Sequence, residues 1–277
     1  MIKIMDASSF DIVKTFECGQ CFRWDAVTDT QSTDKQSVYI GVAMGKAARL
    51  WCKNDSVFIS CSAEDYEAVW RDYFDIDRDY GAIFREIASV DPFMEKAVEF
   101  GRGIRIIRQD KWEALCSFII SQNNNIPRIK KIIASLCKKF GDEIKFEEKT
   151  FHTFPPASRI AELTAEELAS IRCGYRAEYI IAAAKAVVSG GINLEALAQK
   201  TASESRAALK KICGVGDKVA DCVLLFGLHM LDVFPRDVWI NRAIKQIYGS
   251  DFDPGIFGPY AGIAQQCIFF YYRSFGQ

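Results

Sequence analysis

Near residue 62 the spacing of apolar residues changes, and the change divides the chain into two kinds of structure. Residues 10–16, 21–26, 38–44, 48–52 and 57–61 are rich in β-branched and aromatic side chains and are punctuated by Gly, Asp and Asn. Segments of that length and make-up predict an antiparallel sheet. From Glu64 onward the apolar residues fall at helical spacing, first as Tyr66, Val69, Trp70, Tyr73 and Phe74, and the pattern stays helical to the C-terminus. The expected class is α+β, a small N-terminal antiparallel β domain packed on a mainly α-helical body. Residues 1–80 are read as the β domain, 81–109 with 214–277 as one helical subdomain, and 110–213 as a second.

Helix starts refine this division. Asp110 precedes a helix over 111–121, Pro127 suits the first turn of one over 128–140, and Thr164 caps 165–171 with Glu167 three residues on. Ser203 opens a stretch that runs to Ile212, and residues 145–156 are expected as the longest loop among the helices.

With 277 residues, 49% hydrophobic and 26% charged, the chain can bury a substantial core, which excludes a disordered protein. Its first ten residues carry no signal or transit pattern and no apolar run reaches membrane-spanning length. A soluble intracellular protein is expected, in the cytoplasm or nucleoid of a bacterium or the nucleus of a eukaryote. Ten scattered cysteines in such a chain are expected as reduced thiols. Cys18 and Cys21 make one Cys-x-x-Cys pair, but with two histidines, His152 and His229, and no second pair, structural zinc is not expected. Cys213, Cys222 and Cys267 do not supply the four thiolates of an iron–sulfur cluster. A net charge of −1 gives no sign of a nucleic-acid partner. Arg102, Arg105, Arg108 and Lys111, and Lys130, Lys131, Lys138 and Lys139, read either as solvated helix faces or as a local basic surface.

The most informative stretch is Leu209-Lys-Lys-Ile-Cys-Gly-Val-Gly-Asp-Lys-Val-Ala-Asp-Cys222, followed by Val233-Phe-Pro-Arg-Asp-Val-Trp-Ile-Asn-Arg242. A helix ending at Ile212 meets two glycines, and a new helix begins near Asp217, so a tight turn joins the two. Backbone without Cβ, and the N–H groups of the turn and of the second helix start, suit a nucleic-acid phosphate, which makes Gly214, Val215 and Gly216 candidate contacts. Lys218 lies in the first turn of that helix among Val219, Ala220, Cys222 and Val223, so it either reaches out to solvent or is held in a cleft. A helix N-terminus and apolar neighbours both disfavour an ammonium, as a nucleophilic amine requires. Asp237 precedes the apolar series Val238, Ile240, Ala243, Ile244 and Ile247 and reads as an N-cap. A carboxylate fixed in that way also suits a group that becomes cationic during a reaction.

These residues resemble the helix-hairpin-helix (HhH-GPD) DNA glycosylase superfamily, and longer strings narrow the resemblance to the 8-oxoguanine DNA glycosylase family. The strings are Glu17-Cys-Gly-Gln-Cys-Phe-Arg-Trp24, Ser121-Gln-Asn-Asn-Asn-Ile-Pro-Arg-Ile129, Gly174-Tyr-Arg-Ala177 and Gly258-Pro-Tyr-Ala-Gly-Ile-Ala-Gln265, and the likeness runs from about Phe10 to the C-terminus. It implies Lys218 as the Schiff-base nucleophile and Asp237 as its partner carboxylate. It also implies that the carbonyl of Gly19, at a turn between two N-terminal strands, accepts the N7 hydrogen that oxidised guanine has and guanine lacks. Gln265 would read the Watson–Crick edge, with Phe269 and Cys222 sandwiching the ring. Asn123, Arg128 and Arg176 would hold the cytosine left behind, and Tyr175 would fill the vacated stack. One unpaired acceptor costs about 1–3 kcal/mol. That is too little to reject undamaged sites on the order of a million, so flipping and pocket fit must contribute.

The implied activity is that of a bifunctional glycosylase and AP lyase. It excises 8-oxoguanine from double-stranded DNA, preferably opposite cytosine, through base flipping, Schiff-base formation and β-elimination. The implied enzyme is a monomer without membrane association, and needs no metal or organic cofactor, a structural cation at the hairpin carbonyls being an optional aid. Two other readings stay open: a helix-hairpin-helix glycosylase for another damaged base, and a non-enzymatic DNA-binding protein. The chain departs from the family at Trp239, where well-known members carry a phosphate-contacting histidine, and in its near-zero net charge.

Overall fold

The computed structural model describes residues 1–27 and 37–275. Strands β1 (Ile2–Asp6), β2 (Trp24–Val27), β3 (Val38–Ala43), β4 (Lys46–Lys53) and β5 (Ser56–Ser60) form one antiparallel sheet in the order β1-β5-β4-β3-β2. Leu50 of β4 sits between Tyr39 and Ile59, and this alternation puts all three on the face that covers Phe10, Phe16, Trp24, Trp70 and Phe74. Phe16 stacks on Trp24 at 4.6 Å, and the Trp24 indole N–H donates to the Tyr73 hydroxyl. The sheet therefore closes over an aromatic core of its own.

Two expectations fail locally. Residues 10–16, expected as a strand, contain helix α1 (Ile12–Glu17), capped by Asp11 accepting from the Lys14 N–H. Ile12, Thr15 and Phe16 are its buried residues, a helical spacing that outweighs their β-branched and aromatic character. Residues 145–156, expected as a loop, begin inside a hairpin of β6 (Glu143–Phe146) and β7 (Lys149–His152). The Arg49–Glu147 ion pair at 2.5 Å ties this hairpin to β4. Its charged residues mask the alternation of Ile144 and Phe146.

The principal helices are α2 (Tyr80–Ala88), α3 (Pro92–Gly101), α4 (Lys111–Ile120), α5 (Ile126–Phe140), α6 (Arg176–Val188), α7 (Ala202–Leu209), α8 (Asp217–Phe226), α9 (Val238–Ile247) and α10 (Ala261–Phe275). They share one apolar core in which α10 packs on α3 and α4 packs on both α6 and α8. Asp110 caps α4, and Thr164 with Glu167 closes a capping box on the short helix Ala165–Ala169. Thr201, not Ser203, opens α7, with Glu204 completing its capping box. No described helix is long and apolar enough to cross a membrane.

Residues 104–109 run irregularly between sheet and helices, and side chains from both parts satisfy their backbone. The Gln20 side chain donates to Arg105 O at 2.8 Å and accepts from Ile107 N at 3.0 Å. The Tyr80 hydroxyl accepts from Ile106 N, and His229 Nε2 donates to Ile106 O. Arg105, a candidate for a basic face, is 1% exposed and donates to the carbonyls of Phe74, Asp75 and Ser9. Arg108 pairs with buried Asp75 at 3.0 Å. Arg105 is therefore an internal fastener and not part of a basic surface, and the partly exposed Arg108 is committed to Asp72 and Asp75.

Candidate active site

The turn between α7 and α8 is shaped by Gly214. Its φ is +82°, and a Cβ there would lie 2.3 Å from the Tyr179 ring, so another residue cannot be seated without moving α6. Gly216 has an extended backbone, and nothing lies within 4 Å of where its Cβ would sit. As the N-cap of α8 it supplies no side-chain oxygen, and no described group accepts the N–H of Gly216, Asp217 or Lys218. Such a helix start suits an anion. Val215 differs from the expectation: its N–H is spent on Ile212 O at 3.0 Å and its side chain is buried, so it anchors the turn. The ion pairs Arg206–Asp221 at 2.5 Å and Lys210–Asp217 at 2.6 Å clamp the two helices together.

Lys218 is half-buried, and its amine is turned toward the end of α4. Nζ donates to Ser121 Oγ at 3.1 Å and lies 5.6 Å from the centre of the Phe118 ring. Asp237 is the N-cap of α9, with Oδ1 accepting from Ile240 N at 2.8 Å. Lys218 and Asp237 line one small cleft of about 50 Å³ with Gly19, Cys222, Gln265 and Phe269. Next to Asp237, Trp239 is 41% exposed, and the Arg242 guanidinium stands over its ring at 5.8 Å. A cation thus accompanies the exposed indole beside Asp237.

Gly19 follows α1 and precedes β2, with φ +81°, so it lies at a helix end and not between two strands as expected. No described group donates to its carbonyl. The neighbouring Gln20 side chain fixes this turn, donating to Thr15 O at 2.9 Å as well as to residue 105. A Phe269 ring carbon lies 3.7 Å from where a Gly19 Cβ would sit. Burial pushes the Cys222 thiol up to about 11, against the lowering effect of nearby Lys218, so the cleft wall there is a neutral, polarisable thiol. Gln265 is 4% exposed, and its Oε1 accepts from Gln266 Nε2 at 2.7 Å. Gln266 is 3% exposed, with no described partner for its own Oε1.

The remaining predicted residues gather beyond Ser121, where α4 ends. Asn123 is exposed with φ +45°, and Asn125 caps α5 by accepting from Arg128 N, leaving the Arg128 side chain at the surface. Tyr175 is half-exposed under the Arg176 guanidinium, 4.6 Å from its ring centre. Arg176 is not open to solvent: it donates to the carbonyls of Gln122, Asn123 and Cys173. In the protein without DNA it holds the turn that presents Asn123.

Residues 2–115 match the family model described as 8-oxoguanine DNA glycosylase, N-terminal domain, and residues 116–255 match the HhH-GPD superfamily of base excision DNA repair proteins. The N-glycosylase/DNA lyase OGG1 of Arabidopsis thaliana is 32% identical over 92% of this chain and 75% of its own length. The chain belongs to the 8-oxoguanine DNA glycosylase family. Among solved structures of the family, MBOgg1 in complex with a low-affinity DNA ligand is 41% identical, with a TM-score of 0.91 over 99% of this chain and 95% of that one. The Clostridium acetobutylicum 8-oxoguanine glycosylase/lyase, in complex with double-stranded DNA containing cytosine opposite 8-oxoguanine, is 36% identical, with a TM-score of 0.89 over 97% and 93%.

Within this family architecture the structure brings Lys218, Asp237, Gly19, Cys222, Gln265 and Phe269 to one cleft. Asn123, Tyr175 and Arg176 meet at its neighbouring turn. Sequence reasoning gave no role to Ser121, Gln20 or Gln266. The first two lie inside the quoted family strings, and a polar residue amid buried neighbours was the available signal. Gln266 lies just beyond its string and had none.

Proposed function

We propose that this chain excises 8-oxoguanine from duplex DNA, opposite cytosine by preference, and then cuts the strand as a lyase. The observation that carries the reading is the Lys218 amine, turned away from bulk water, sharing one cleft with the Asp237 carboxylate and the unpaired Gly19 carbonyl. The damaged nucleotide leaves the stack, which costs a few kcal/mol. Its N7–H meets the Gly19 carbonyl, while Cys222 and Phe269 bracket the ring.

Unprotonated Lys218 then bonds to C1′ as the C1′–N9 bond breaks, and the base leaves with that electron pair and gains a proton. Asp237 offsets the positive charge that builds on the sugar. Opening of the sugar ring and loss of an amine proton give a Schiff base, which acidifies C2′–H. Removal of that proton forms the C2′–C3′ double bond and expels the 3′ phosphate. Lys218 and Asp237 are the groups of the chain assigned to these steps, and the enzyme works in whichever compartment holds the genome.

Borohydride reduction during reaction with a duplex carrying 8-oxoguanine opposite cytosine tests this. A covalent adduct is expected from the wild type and none from Lys218→Gln. Binding without an adduct would favour a non-enzymatic DNA-binding protein. An adduct formed only with an alkylated-base duplex would move the substrate to another lesion.

A further inference from the structure

We infer that the turn at the end of α4, residues 121–123, couples recognition of the opposite base to the Lys218 amine, with Ser121 as the positioning residue. The inference rests on the glycosylase reading above. Ser121 Oγ gives its single hydrogen to Phe118 O at 2.8 Å, so the lone pair that meets Lys218 Nζ at 3.1 Å is fixed in direction. Two residues on, Asn123 holds a left-handed backbone, φ +45°. That conformation is sustained from inside: Arg176, 3% exposed, donates to Gln122 O and to Asn123 O at 3.1 Å. Asn124 Nδ2 donates back to Ile120 O at 3.1 Å.

One short turn is therefore gripped on one side by the residues assigned to the opposite base and on the other by the nucleophile. Cytosine offers two acceptors and one donor on its pairing edge, whereas adenine offers a different set. A base that satisfies Asn123 and Arg176 immobilises the turn and keeps Ser121 in place. A base that does not satisfy them leaves the turn free to shift, and a displacement of about 1 Å at a reacting group costs up to roughly 100-fold in rate.

The test is single-turnover excision at saturating protein on 8-oxoguanine duplexes with cytosine or adenine opposite. Wild type is compared with Ser121→Ala, Ser121→Cys (similar in size but a poor acceptor) and Ser121→Thr. Affinities for the corresponding abasic-analogue duplexes are measured alongside. Loss of the acceptor is expected to slow the cytosine duplex by about three- to tenfold and leave the adenine duplex unchanged. The cytosine-to-adenine rate ratio then falls by that factor while the affinity ratio stays put, and Ser121→Thr retains the wild-type ratio. Equal slowing on both duplexes, or no change in the ratio for Ala and Cys, overturns the coupling. Wild type that releases 8-oxoguanine from neither duplex overturns the glycosylase reading itself, and that arm tells the two failures apart.

Discussion

On the lesion side of the cleft, Cys222, Gln265 and Gln266 are at most 4% exposed, and the turn carrying Gly19 is held by the buried Gln20 side chain. On the opposite-strand side Asn123 and Arg128 are exposed, Tyr175 is half-exposed, and Arg176 is occupied with backbone carbonyls. The first side is built mainly from buried groups, which have little freedom to lose on binding. On the proposed function, the second side exchanges its present contacts for contacts to a base, which predicts an effect on discrimination more than on rate. The contrast predicts which substitutions change chemistry, which change folding, and which change choice of partner base.

Lys218→Gln should have the largest effect, abolishing both the borohydride adduct and strand cutting while duplex affinity in gel-shift assays is retained. A residual adduct would move the nucleophile elsewhere. Asp237→Asn keeps a good N-cap residue, yet excision should slow by about 10²–10³-fold with little change in affinity. Equal losses in rate and affinity would reduce Asp237 to a helix cap.

Rigidity of the lesion side is tested by Gln20→Ala, which strips partners from Thr15 O, Arg105 O and Ile107 N. A stability loss of about 3 kcal/mol in urea titration is expected. A loss under about 1 kcal/mol would mean that the Gly19 turn stands without it. Behind the same wall, burial holds His229 down to about 4 in the folded chain, from an ordinary 6.5. The unfolded chain therefore takes up this proton first. The stabilisation is complete above pH 6.5 and is lost as the pH falls toward 4, by roughly 2–3 kcal/mol. His229→Gln should flatten that slope in pH-dependent unfolding.

The smallest effect belongs to the surface. Arg128→Ala should lower the cytosine-to-adenine excision ratio by about tenfold, with no shift in melting temperature. Arg176→Ala should lower the ratio and the stability together, because it leaves buried carbonyls unpaired. Matching behaviour of the two variants would erase the distinction between a surface arginine and a buried one.

Much of this division was legible in the sequence. The change of period near residue 62 placed the sheet before the helices, and apolar residues around Lys218 and after Asp237 located two helix starts. What periodicity missed were places where a few residues decide the outcome. One capping Asp11 turned residues 12–17 into a helix, and charged residues concealed the β6–β7 pairing. In the site, the family resemblance, not residue type, foretold which side chains line the cleft, and neither foretold how they are engaged. That Arg176 faces inward and that Ser121 holds the amine both follow from three-dimensional partners which no local spacing encodes.

Residues 104–109 give this layout a mechanical meaning. Gln20 fastens to this segment from the Gly19 turn, and His229 fastens to it from just beyond the C-terminal end of α8. The segment acts as a spacer between the Gly19 turn and α8, two walls of one cleft. Its hydrogen bonds form as the chain folds, so the spacing of these two cleft walls is set by folding.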